Sequence, residues 1–312
     1  MSKPPTLHVL SSGGPVPTRA RFGSAYVLES ADRRYLIDCG PATVYKLVQM
    51  GMQPLDIDHL FFTHHHFDHT SDYATFLLTR WDHSIGTENR LKVFGPAGTK
   101  ALTERLIGES GAFSTDWKAR VGHHLSHTMH ISRGGSLPRP APRADVTDTI
   151  SGPVHEEDSL TVSSAPAEHV QPFLESLAWR LDTPQCSVVF TGDTQPCDRI
   201  VDLARGADAL VSLCGNFQST LRDRGIEEGQ TGTLGAAEMA AEAGVKQLFL
   251  VHIGSDLSVA ENRESGLAEI AGVFDGEVVL TDEMTSYEIM TDRPVRSAGT
   301  RDPIAHPHIH RH

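Results

Sequence analysis

Residues 63–70, Thr-His-His-His-Phe-Asp-His-Thr, place His64, His66, Asp68 and His69 in the spacing His-x-His-x-Asp-His directly behind the apolar run Leu60-Phe61-Phe62. This feature constrains the fold most, because a short strand ending in several metal-binding side chains needs further ligands from distant segments. A single histidine here would be read as a solvated loop residue. Five ligand-type side chains within six residues are not explained by packing. Neutral imidazole offers a lone pair near neutral pH, and Asp68 adds a hard anionic oxygen.

The surrounding pattern supplies such segments. Leu7–Leu10, Ala25–Leu28 and Arg34–Ile37 are short and β-prone between Gly, Pro and Asp turns, as in an antiparallel meander. Helical spacing is expected over Thr43–Gln49 with a stop near Gly51, and again over Ser71–Trp81. Later strands lead to candidate ligands: Leu160–Ser163 to Glu168-His169, Ser187–Thr191 to Gly192-Asp193, and Leu248–Val251 to His252. Ala209–Leu213 runs instead into Cys214-Gly215-Asn216. A helix over 234–243, with Thr233 as cap and Gly244 as stop, completes an alternation that argues for a layered α/β architecture.

With 39% hydrophobic and 21% charged residues the chain of 312 can bury a core, and its longest apolar runs are far too short for a membrane helix. The N-terminus shows no secretory pattern and the four cysteines form no C-x-x-C pair, so a cytoplasmic protein with reduced thiols is expected. A formal charge of −13 weighs against nonspecific binding to polyanions. The stretch of about 108–153, rich in Gly, Ser, His, Pro and Arg, reads as a lid-like insertion, and the His-rich tail 293–312 as a flexible extension.

The ordered set His64, His66, Asp68, His69, His169, Asp193 and His252 resembles the metallo-β-lactamase superfamily, in particular its ribonuclease Z-like branch. Gly13-Gly14-Pro15, Leu36-Ile37-Asp38-Cys39-Gly40, Thr191-Gly192-Asp193-Thr194 and Leu250-Val251-His252 support the resemblance. It implies an α/β fold, the four-layer αββα sandwich, as a single hydrolase domain over residues 1–292. It assigns His64, His66 and His169 to one divalent ion, Asp68, His69 and His252 to a second, and Asp193 as the bridge. Zinc is the first choice for such a set, with manganese or iron also accommodated. Two ions 3.5–4 Å apart share and acidify a water, so a hydrolase follows, with Asp68 orienting or deprotonating the nucleophile. Asp38 is expected to bond a ligand histidine from outside, and His65 to point away. The branch also implies a homodimer.

Two departures shape the expected substrate. Transfer-RNA 3′-processing enzymes of this branch carry a His-Glu pair where this chain has Leu213-Cys214-Gly215-Asn216, and a protruding arm where His169 and Asp193 lie only 24 positions apart. The expectation is therefore a small-molecule ester (carboxylic ester or lactone, phosphodiester, or aryl sulfate), with nucleic acid unlikely as a partner. A tRNA 3′-processing phosphodiesterase and an iron-loaded redox or non-catalytic relative are the alternatives. Within the insertion, His123, His124, His127 and His130, with Phe113, Trp117 and Met129, are candidates to wall the pocket and supply a proton.

Overall fold

Two seven-stranded sheets face one another in the computed structural model, which describes residues 3–85 and 91–293. Sheet A contains β1 (Thr6–Ser12), β2 (Ser24–Ser30), β3 (Arg33–Ile37), β4 (His59–Phe61), β5 (Lys92–Gly95) and β6 (Asp145–Asp148) in chain order. Sheet B contains β7 (Gly152–Glu157), β8 (Leu160–Pro166), β9 (Leu177–Asp182), β10 (Ser187–Phe190), β11 (Ala209–Leu213), β12 (Gln247–Val251) and β13 (Glu277–Leu280). The last strand, β14 (Thr285–Glu288), returns to pair with β1 and closes the edge of sheet A. Each sheet combines antiparallel strands with a parallel run, β3 to β6 in one and β10 to β13 in the other.

Period-two alternation sends Leu7, Val9, Ile37 and Phe61 of sheet A toward Val162, Trp179, Val188 and Phe249 of sheet B, forming the central core. The opposite faces are covered by helices. Leu47 of α1 (Thr43–Gln49) packs on sheet A, past the single turn of α2 (Phe67–Thr70), with Phe76 of α3 (Tyr73–His83) and Ile107 of α4 (Thr99–Ile107). After α5 (Ser114–Gly122) and α6 (His124–Ser132), sheet B is covered by α7 (Asp198–Ala204), followed by α8 (Gln218–Asp223), α9 (Thr233–Ala243) and α10 (Ala260–Ala271). The result is the αββα sandwich expected from the sequence.

Several local expectations shift. Helix α9 is capped by Gly232, while the Thr233 hydroxyl turns to Glu269 of α10; Gly244 ends the helix at φ +69. The insertion is more regular than its composition suggested, for α5 and α6 lie within it. Its contacts run to α3: Trp81 donates to Pro140 O at 2.9 Å, and Arg139 stacks on the Trp81 ring and pairs with Asp82. The His-rich tail beyond 293 lies outside the described residues. No helix among the described residues is long and apolar enough to cross a membrane.

Candidate metal centre

Strand ends gather the candidate ligands at one edge of the sandwich. Thr63 and His64 follow β4, His169 follows β8, Asp193 follows β10, His252 follows β12, and Asp38 follows β3. The two sheets are joined there. The indole N–H of Trp179 donates to Phe62 O at 2.9 Å, and Leu177 N–H donates to Thr63 O at 2.8 Å, fixing the histidine loop to sheet B. Gly192 sits at φ +61, where a Cβ would lie 2.7 Å from the Thr63 Cβ, so Thr-Gly-Asp brings Asp193 in only with glycine at its centre. Gly40 is equally confined: a Cβ would meet Asp68 O at 2.1 Å.

All seven predicted donors converge. His64, His66, His169 and Asp193 form one group and Asp68, His69 and His252 another, with the donor atoms of each group within 4.8 Å of one another. His66 Nδ1 lies 3.0 Å from His64 Nε2 and 3.3 Å from His169 Nε2. Asp193 joins the groups: Oδ2 is 4.0 Å from His64 Nε2 and 3.3 Å from His252 Nε2, and Oδ1 is 3.6 Å from His69 Nε2. Asp68 Oδ2 lies 3.3 Å from His252 Nε2 and 3.6 Å from His69 Nε2. His65 turns away, bonding through Nε2 to Thr99 Oγ1 at 2.9 Å.

Outer partners fix the rings so that lone pairs face inward. His169 Nδ1 donates to the Gly229 carbonyl at 2.8 Å, which leaves Nε2 unprotonated. Thr63 Oγ1 donates to Asp38 Oδ2 at 2.8 Å and accepts from His64 Nδ1 at 3.0 Å, so His64 Nε2 is likewise bare. His69 Nδ1 donates to the same Asp38 oxygen at 2.7 Å. His69 Nε2 is buried and has no hydrogen-bond partner, although it faces two carboxylates. Converging lone pairs, an orphaned buried nitrogen and two acids fit a pair of divalent cations.

Electrostatics agree. Burial, reinforced by neighbouring imidazoles, holds His64 well below its ordinary value and keeps it neutral. Burial would lower His69 too, but the carboxylates of Asp38 and Asp193 outweigh it and raise the metal-free ring to about 9, so cation binding there displaces a proton. Two residues of the constellation lie in the left-handed region, Asp38 at φ +58 and His252 at φ +52, a strain typical of functional positions.

Sequence reasoning missed three participants: the Thr63 hydroxyl, the Gly229 carbonyl, and Gly14, whose Cβ position lies 2.9 Å from His252 Cε1. Adjacency to His64 was a usable signal for Thr63. A backbone carbonyl 60 residues from His169 leaves none. The insertion histidines bond locally instead, His127 to Val121 O and His130 to Ser136 O.

The chain matches the model of the metallo-beta-lactamase superfamily over residues 18–224. It is 30% identical over 292 residues to ribonuclease Z of Mycobacterium avium (strain 104), covering 92% of this chain and 98% of that protein. Ribonuclease Z of Mycobacterium sp. (strain KMS) is 29% identical over 296 residues, with 93% and 98% covered. Among solved structures, YhfI of Bacillus subtilis, a metallo-beta-lactamase fold protein, superposes with a TM-score of 0.68 at 22% identity, covering 92% of this chain and all of that one. Human tRNase Z, short form, gives 0.64 at 18%, with the same coverage. These relatives overturn the expectation that nucleic acid is an unlikely partner. Net charge is a sum over the whole surface, whereas phosphate capture at such a centre depends on local charge.

Proposed function

The chain belongs to the metallo-beta-lactamase superfamily as a ribonuclease Z-like hydrolase, and from this membership we propose that it is a metal-dependent phosphodiesterase acting on RNA. Of the ester classes the sequence left open, the relatives favour the phosphodiester. The observation that carries the reading is likeness over nearly the full length of ribonuclease Z combined with the two donor groups bridged by Asp193.

In this reading His64, His66 and His169 would hold one ion and Asp68, His69 and His252 the other, with the Asp193 carboxylate within reach of both groups. Two bound cations, zinc by the imidazole-rich set, would acidify a water and draw negative charge off the phosphoryl oxygens. The chain's own residues set the geometry: Asp38 and Thr63 lock His69 and His64, Gly229 locks His169, and the Asp68 carboxylate orients the attacking water and accepts its proton. The loop after β11 offers no acid for the leaving oxygen. Cys214 is buried with its thiol pushed up to about 12, and the Asn216 amide is bonded to Asp256.

Exposed aromatic rings suit a single-stranded substrate. Phe67, between His66 and Asp68, is 58% exposed, and Phe173, four residues past His169, is 93% exposed. Bases unstacked near the cut can lie on such faces. Four free cysteines, of which Cys39, Cys186 and Cys214 are buried, support a reducing cytoplasmic setting, and the branch carries with it a two-copy assembly.

The test is cleavage of a precursor transfer RNA with a 3′ trailer by zinc-loaded protein, beside bis(4-nitrophenyl) phosphate and a carboxylic ester. RNA cleavage lost in Asp193→Ala supports the proposal. Ester turnover without RNA or phosphodiester cleavage refutes it.

A further inference from the structure

At the opposite end of β4 from the catalytic edge, a second set of donors comes together. His59, the first residue of the strand, is only 4% exposed, yet neither ring nitrogen has a hydrogen-bond partner. A buried imidazole with two unmet nitrogens costs free energy unless something binds it. Its Nε2 points at sheet B, 3.7 Å from Glu157 Oε2 on β7. His155, two residues earlier and on the same strand face, places Nε2 3.2 Å from that carboxylate oxygen. Ligand atoms of His59, His155 and Glu157 all lie within 4.8 Å of one another. Two donors bound tetrahedrally to a zinc-sized ion at 2.0–2.1 Å are separated by about 3.3 Å, close to both nitrogen–carboxylate distances.

A cation already occupies this corner. The Lys92 ammonium donates to Glu157 Oε2 at 3.0 Å and lies 3.4 Å from His155 Nε2, so two of the three ligand atoms sit beside a positive centre. Lys92 is a surface side chain on a flexible stem and can swing into solvent. Burial lowers His59 to about 4, which keeps its ring neutral and able to ligate.

We propose that His59, His155 and Glu157 form a separate site for one divalent transition ion of the zinc class, entered when Lys92 withdraws, with a water completing the coordination. Because His59 belongs to sheet A and the other two ligands to sheet B, the ion is a staple between the sheets, remote from the catalytic donors. The inference is independent of the proposed substrate.

Zinc titration of the metal-stripped full chain tests it, by calorimetry and by metal content after gel filtration. Wild type should bind one equivalent more than His155→Gln, with the catalytic donors and the His-rich tail common to both. Glu157→Gln, at a partly exposed position, should lose the same equivalent and serves if His155→Gln misfolds. Lys92→Ala removes the competing ammonium and should bind the additional ion at least ~10-fold more tightly, a gain of about 1.4 kcal/mol. Equal stoichiometry in wild type and the two ligand variants, or unchanged affinity in Lys92→Ala, overturns the proposal.

Discussion

At its C-terminal end β4 delivers His64 with its outer nitrogen held by Thr63; at its N-terminal end His59 has neither nitrogen bonded. The candidate metal edge is pre-arranged: Asp38 aligns His69, Gly229 aligns His169, and ring nitrogens face acids that no lysine or arginine neutralises among the described contacts. At the other end the acid is engaged by Lys92. The difference teaches that ligand-type residues alone do not make a centre. Outer hydrogen bonds that fix ring orientation, and a field left unquenched, separate a site ready for ions from one that must first release an internal cation.

The harshest way to break this contrast is to remove the shared carboxylate. Asp193→Ala should lower phosphodiester cleavage by more than ~10³-fold while far-UV circular dichroism stays unchanged, because both donor groups lose their common oxygen. A loss under tenfold would mean that the chemistry lies elsewhere.

Asp38→Asn sharpens the comparison further, since asparagine tolerates the left-handed backbone at φ +58 while the charge and one of the two acceptor oxygens are lost. Affinity for the ion beside His69 should fall ~10- to 100-fold, as for other partners of ligand histidines. Isothermal titration with zinc would show it, and unchanged affinity would remove the orienting role.

Phe67→Ala and Phe173→Ala should each raise KM for precursor RNA by ~10-fold and leave bis(4-nitrophenyl) phosphate turnover nearly unchanged, because stacking engages bases the small ester lacks. Equal effects on both substrates would point to a disturbed centre instead.

The smallest expected effect uses the two titrating ends in metal-free protein. His69, raised to about 9, contributes stability that is full below its unfolded value near 6.5 and is lost as pH rises through 9. His59, lowered to about 4, contributes stability that is full above 6.5 and is lost as pH falls toward 4. Thermal melts in EDTA should therefore peak near pH 6.5, and zinc should flatten the alkaline limb first. A melting profile flat from pH 5 to 9 would contradict both shifts.

Elements governed by local rules were legible in the sequence: α1 spans the expected Thr43–Gln49, β11 spans Ala209–Leu213, and β12 differs from its expectation by one residue. The candidate ligands were legible because most follow a recognisable apolar strand. Helices α5 and α6 were obscured because their many histidines, serines and glycines weaken periodicity, while Trp117 and His130 supply what burial they have. The partner expectation failed for a different reason: it relied on a global charge, and substrate binding is a local matter. His59, His155 and Glu157 escaped notice because their meeting depends on how two sheets stack, although His155-x-Glu157 on one strand face was a visible hint.

Gly40 has a wider consequence. With the Asp68 carbonyl where a side chain would begin, that loop cannot drift to suit a new ligand, and any larger residue at position 40 must displace the backbone that carries the candidate ligands. Diversification is thereby channelled outward, to rim positions such as Phe67 and Phe173, where sequence can vary and preference can be rewritten while the reacting apparatus stays where it is.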